Sequence, residues 1–147
     1  MTRCEATAAI IAAKKAKKMT WKDIAEAVGA SPVWVTSALL GRNSMTADLA
    51  GKAAAALDLD EEVEEALRRC PTKGAISDDI AADPLIYRFQ EIIYVYGTTI
   101  KELIHEEFGD GIMSAIDFEM DIKRLPDPKG DRVVVTYNGK FLPYRKW

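Results

Sequence analysis

At "FGDGI", residues 108 to 112, the hydrophobic period of the chain changes, and the change limits what the chain can fold into. Upstream, apolar residues recur every three or four positions, the spacing of one helix face. Downstream, Ile112, Ser114, Ile116, Phe118, Met120 and Ile122 alternate with Met113, Ala115, Asp117, Glu119, Asp121 and Lys123, the period of a strand. One face of this segment is apolar except for the hydroxyl of Ser114, and the other becomes acidic. Helices followed by strands predict an α+β fold.

The helical part carries its own punctuation. Ala6, Ala9, Ile10, Ala13 and Ala16 form one stripe. Thr20 caps a second helix, in which Trp21, Ile24, Ala25 and Val28 fall at i, i+3, i+4 and i+7 before Gly29 stops it. Ser31 caps a third, with Pro32 at its first position, where a missing N–H does no harm. That helix buries Val35, Ala38 and Leu39 and ends at Gly41. Thr46 or Asp48 opens a fourth with Leu49, Ala53, Ala56 and Leu57, and a fifth begins near Asp60 and stops before Pro71. Glu61 and Glu62 suit the positive end of the fifth helix dipole. Residues 1–71 therefore read as a five-helix bundle domain. "CPTKGAISDDIAADP", residues 70 to 84, has two prolines, a glycine and little periodicity, which makes 72–84 a linker.

Residues 85–147 read as a second, C-terminal domain. Asp83 and Pro84 open a helix that Gly97 closes, and Thr99 with Glu102 forms a capping box for another, ending at Gly109. "RVVVTY" and "KFLPY" flank Asn138-Gly139, a hairpin signal. Two helices and about three strands of a short antiparallel sheet are too thin to bury their own faces. The domain is expected to pair with another copy of itself.

Composition excludes several function classes. No apolar run approaches the ~20 residues that span a bilayer. The apolar run Ala8 to Ala13 precedes Lys14, Lys15, Lys17 and Lys18, the reverse of a secretory signal, so neither membrane nor targeting segment is expected. The same basic stretch, opposed only by Glu5, has a weak mitochondrial-leader composition, and a first domain helix accounts for it better. Cys4 and Cys70 make a poor disulfide framework and point to a reducing, cytoplasmic setting. Residues 1–71 hold ten Lys+Arg against ten Asp+Glu, and residues 72–147 ten against thirteen, so neither half is a basic surface for nucleic acid or anionic lipid.

Four constellations can be weighed. "TWKDIAEAVGASPVWVTSALLGR" places Ala25, Gly29, Val35 and Leu39 at helix-turn-helix spacing. Its second helix offers Thr36 and Ser37 but no Arg, Lys, Asn or Gln to read base edges, so the motif reads as packing. His105 is the only histidine, and with Cys4 and Cys70 isolated no metal site is expected. Ser114 lies in no nucleophile elbow, so nothing points to a hydrolase. There remain Arg88 and Glu91, three residues apart in "LIYRFQEIIYVYG" among Ile86, Tyr87, Phe89, Ile92, Ile93, Tyr94, Val95 and Tyr96. A helix apolar on nearly every side is buried on nearly every side, and two charges held there need a reason. Arginine is a permanent cation with a planar fork of donors, and Ser114 adds a hydroxyl on an apolar face. Together they read as a small-anion site at a subunit interface, with the reaction left open.

"DPLIYRFQEIIYVYGTTIKELIHEEFGDGIMSAIDF" resembles the signature region of the cyanate hydratase (cyanase) family. The likeness extends from "AEAVGASPVWVTSALLGRNSMTADLA" to the closing "GKFLP". It implies an N-terminal helical bundle resembling helix-turn-helix DNA-binding domains, and a C-terminal domain that interlocks with its partner in a dimer. Five dimers would form a homodecamer with active sites between dimers. The implied activity is a lyase reaction with bicarbonate as co-substrate and no cofactor. Cyanate would give carbamate and CO2, and carbamate would give ammonia and CO2. The family's catalytic arginine, glutamate and serine fall on Arg88, Glu91 and Ser114. Its anion pocket implies Ala115 through the backbone beside the serine, with Ile112 and Leu142 as apolar wall. The alternatives are a DNA-binding regulator with an oligomerising, ligand-sensing C-terminal domain, and a catalytically silent oligomer.

Overall fold

The computed structural model describes residues 1–71, 80 and 82–146, so most of the expected linker lies outside the described residues. The chain divides into two compact units. One comprises Met1–Lys73 with Met120–Tyr137, and the other Gly74–Glu119 with Asn138–Trp147.

The first unit contains α1 (Arg3–Ala16), α2 (Trp21–Val28), α3 (Pro32–Leu39), α4 (Ala47–Leu57) and α5 (Glu61–Arg68). Their starts are set by local hydrogen bonds. Thr2 and Glu5 form a capping box on α1, as Thr20 and Asp23 do on α2. In each box the carboxylate accepts the cap residue's backbone N–H and hydroxyl, which holds Glu5 and Asp23 below the usual carboxylate range. Thr46 caps α4 and Asp60 caps α5, through Leu49 N–H and Val63 N–H. Ser31 departs from expectation: it precedes Pro32 at the N-cap of α3 but makes no side-chain cap hydrogen bond. Proline already supplies the helical φ there and removes one N–H that would need a partner.

The core of this unit comes from every one of its helices. Ala6, Ile10, Ile24, Val28, Val35, Leu39, Met45, Leu57, Val63 and Leu67 are buried together, with Ala25, Ala38, Ala50, Ala53 and Ala66 between them. Each large side chain fully removed from water contributes about 1.5–3 kcal/mol. Trp21 and Trp34 pack against the edge of this core. Arg3 ties helix ends together. Its guanidinium donates to the carbonyls of Ala66 (2.8 Å) and Ala38 (3.1 Å), in the last turns of α5 and α3, and to that of Asn43 in the loop after α3.

The second unit is built on α6 (Pro84–Phe108), a helix of 25 residues about 37 Å long. Asp83 caps it by accepting Leu85 and Ile86 N–H at 2.9 and 3.0 Å. The expected break at Gly97 does not occur, and no second helix starts at Thr99. A glycine costs about 1 kcal/mol inside a helix, less than the cost of nucleating a new one three residues later. Gly97 also lacks the positive φ that ends a helix.

β1 (Gly111–Leu125) and β2 (Arg132–Pro143) form a two-stranded antiparallel sheet. The expected third strand and the Asn138-Gly139 turn are not formed, because β2 runs straight through both residues. A tight turn there would need Asn138 at positive φ, which it does not adopt. The reversal lies instead at residues 126–131, in the first unit. There Asp127 accepts Lys129 N–H at 2.8 Å and pairs with Arg132 at 3.2 Å, and Gly130 takes φ +120°.

Candidate active site

Arg88 and Glu91 stand one turn apart on α6, where Arg88 Nη1 donates to Glu91 Oε2 at 2.9 Å. The Arg88 guanidinium carbon lies 5.9 Å from the centre of the Tyr87 ring. One N–H of the fork is spent on Glu91 and four can serve an anion. In the isolated chain the two side chains are 65% and 49% exposed, and such a pair contributes at most about 1 kcal/mol. Its surroundings are apolar but uncovered: Leu85, Ile86, Tyr87, Phe89, Ile92, Ile93, Tyr94, Val95 and Tyr96 are all exposed, and no residue of α6 is buried.

Ser114 is different. It is 8% exposed, the one buried polar residue among the described residues. Its Oγ accepts the backbone N–H groups of Ile116 (3.1 Å) and Asp117 (2.9 Å), a serine turn inside β1. With both lone pairs occupied, the hydroxyl proton is left to donate outward. The turn also disturbs the strand's alternation. Ser114 is buried, while Ile112 and Ile116, two residues to either side, are exposed, Ile116 by 97%. The expected continuous face is therefore interrupted at the serine.

Ala115, Ile112 and Leu142 are exposed around it. Ile112 and Leu142 sit near the open ends of the two strands, where Gly111 approaches the Leu142 carbonyl. The structure thus gathers Ser114, Ala115, Ile112 and Leu142 at one end of the hairpin and Arg88 with Glu91 on α6. Among the described residues no hydrogen bond joins Arg88 or Glu91 to Ser114.

Three further residues shape this end of the hairpin. His105, weighed above only as a metal ligand, places Nε2 3.0 Å from the Gly111 carbonyl and Nδ1 3.7 Å from Asp110. A carbonyl can only accept, so Nε2 carries the proton. Gly111 and Gly139 have no room for a side chain. A Cβ on Gly111 would run into the Leu142 carbonyl oxygen, and one on Gly139 would lie 2.5 Å from the Ser114 carbonyl oxygen. The dipeptide Asn138-Gly139 drew attention in the sequence for the wrong reason. Its glycine serves close approach, a use that only the strand opposite could reveal. Among the described residues no group of three or more His, Cys, Asp or Glu could hold a metal ion. No described helix is long and apolar enough to cross a membrane.

The chain is thus an α+β protein that carries an Arg–Glu pair on a long, mostly apolar helix and a buried serine hydroxyl. Comparison with known proteins shows the family in which these features occur. A family model described as the N-terminal part of cyanate hydratase matches residues 3–71, and one for the cyanate lyase C-terminal domain matches residues 78–146. The chain is 53% identical to a cyanate hydratase of Thiobacillus denitrificans over 147 residues, all of both chains. It is 54% identical, again over all of both chains, to those of Teredinibacter turnerae and Dechloromonas aromatica. The crystal structure of a cyanase from T. urticae superposes with a TM-score of 0.85 at 40% identity, covering 94% of this chain and 96% of that one. The chain belongs to the cyanate hydratase family. The reading as a DNA-binding regulator finds no support.

Proposed function

We propose that this protein is a lyase that decomposes cyanate with bicarbonate as co-substrate. The observation that carries the reading is the Arg88–Glu91 pair, joined at 2.9 Å on a helix whose other side chains are mostly apolar, in a chain of this family along its whole length. A bicarbonate oxygen adds to the cyanate carbon, forming a carbon–oxygen bond and a dianionic adduct. The adduct takes up one proton and breaks the bond that releases CO2, leaving carbamate. Carbamate takes a second proton and separates into ammonia and CO2.

The central difficulty is the repulsion of two anions. Arg88 offsets it through its remaining N–H donors and stabilises the charge that accumulates on the adduct. Ser114 donates its hydroxyl proton to the same oxygens, and the Ala115 N–H adds a second oriented dipole. Glu91 aims Arg88 through their 2.9 Å bond, and its carboxylate is a candidate to relay a proton. Ile112 and Leu142 form the apolar wall that keeps water away. Holding two reactants in register can supply about 7–11 kcal/mol of the barrier reduction. No resident cofactor is assigned.

The exposed apolar side chains of α6 support an assembly in which copies cover one another, since patches of this size on a lone chain mark interaction sites. We read the C-terminal region, 85–147, as the catalytic and dimerising part, interlocked with its partner. Residues 1–71 form the helical part, in which α2 and α3 resemble a helix-turn-helix used for packing. Five dimers forming a decamer would bring Arg88, Glu91 and Ser114 of different copies into one site. The exposed, unbridged Cys4 and Cys70 agree with a cytoplasmic setting.

The test is ammonia release from cyanate with and without bicarbonate. Release that requires bicarbonate is expected, and none from an intact assembly would reject the reading. Arg88→Lys, Glu91→Gln and Ser114→Ala should each lower turnover by on the order of 10²-fold or more while the assembly persists. If all three retain turnover, the site lies elsewhere.

A further inference from the structure

We propose that Gly139 is a positioning residue for Ser114: its missing side chain lets β2 press against the Ser114 carbonyl and sets where the hydroxyl points. The inference rests on the role given to Ser114 above. Gly139 lies in the interior of β2, paired with β1, without the positive φ that Gly29, Gly41, Gly109 and Gly130 adopt. Glycine is therefore required there for space and not for backbone conformation.

The space is tightly limited. A Cβ at Gly139 would meet the Ser114 carbonyl oxygen and Met113 Cγ, each at 2.5 Å. An ordinary carbon–oxygen contact is roughly 3.3 Å or longer, so an added methyl must displace one strand from the other. Met113 has a flexible side chain that can turn away. The Ser114 carbonyl is main chain, and moving it moves the serine. The hydroxyl cannot follow freely, because Ile116 N–H and Asp117 N–H hold it from the other direction. Pressed from β2 and tethered along β1, Ser114 has its position determined by both.

The experiment is a double-mutant cycle with Gly139→Ala and Ser114→Ala, measuring kcat and KM for cyanate together with assembly size. Gly139→Ala is expected to lower kcat by roughly 10- to 100-fold, the penalty of a displacement approaching 1 Å, with the assembly retained. In the Ser114→Ala background it should cost little more, because its effect passes through the serine. Multiplicative losses in the double mutant, or unchanged kcat in Gly139→Ala, would overturn the proposal. Met113→Ala combined with Gly139→Ala removes the side-chain clash and keeps the main-chain one, so its kcat should stay low. Recovery of kcat there would overturn the proposal too. If neither Gly139 variant assembles, the residue serves the fold and the positioning role is rejected. Failure of the underlying reading looks different: Ser114→Ala alone would then turn over normally, and the positioning role would fall with it.

Discussion

Ile10, Ile24, Leu39 and Leu67 in the helical unit have almost no contact with solvent, whereas Tyr94, in the middle of α6, is 80% exposed, and Leu85 and Leu103 are exposed with it. Both regions are rich in apolar residues, yet only one hides them within a single chain. The helical unit is short helices around a shared core, so each helix covers its neighbours. The second unit is one long helix and part of a two-stranded hairpin, and neither has enough partners of its own. The difference teaches where the chemistry can be. A charged pair such as Arg88–Glu91 gains strength only when water is excluded, and in the proposed assembly that exclusion would come from other copies.

The contrast can be broken most severely on α6. Tyr94→Glu or Leu103→Glu places a good helix former at an exposed position of the isolated chain, where it would change stability by less than about 0.5 kcal/mol. In an assembly each would bury an unpaired charge. The expected outcome is collapse of the assembly to small species by light scattering, with ammonia release lost and the helical unit still folded. An unchanged assembly would show that α6 faces solvent in the working protein.

The helical unit should respond in the opposite sense. Leu39→Ala is expected to cost about 2–5 kcal/mol in urea denaturation, through lost burial and the cavity left behind. Its effect should appear in the helical transition before any change in assembly. A smaller change comes from the caps. Thr20→Ala should cost about 1 kcal/mol. Glu5 and Asp23 titrate lower in the folded chain than in an unfolded one. The stability they contribute is complete above the ordinary carboxylate range near ~4 and is lost as pH falls through the lowered folded values. Melting temperature followed from pH 7 to acid should show that loss, and Asp23→Asn should flatten it.

Much of the helical unit could be read from the residues themselves, because its signals are local. Thr20, Thr46 and Asp60 cap helices by bonds to residues three positions on, and Pro32 and Gly29 act within one turn. Local patterns misled where two structures competed. Gly97 has the composition of a helix stop, yet continuing the helix cost less than starting another. Asn138-Gly139 has the composition of a turn, yet the loop at 126–131 already reversed the chain and left that pair inside a strand. Of the candidate site, Arg88 and Glu91 were legible because charges stand out on an apolar helix, and their 2.9 Å bond follows from i, i+3 spacing.

By itself the amino-acid sequence determined the α+β class, the caps at Thr20, Thr46 and Asp60, much of the buried helical core and the Arg–Glu pair. All of these depend on residues within a few positions of one another or on a simple period. The tertiary structure alone decided that α6 is continuous, that Ser114 is buried with its hydroxyl held by two N–H groups, and that Gly139 lies against its carbonyl. Those features depend on which strand lies opposite which and on how much room remains between them, and a linear pattern does not carry distance.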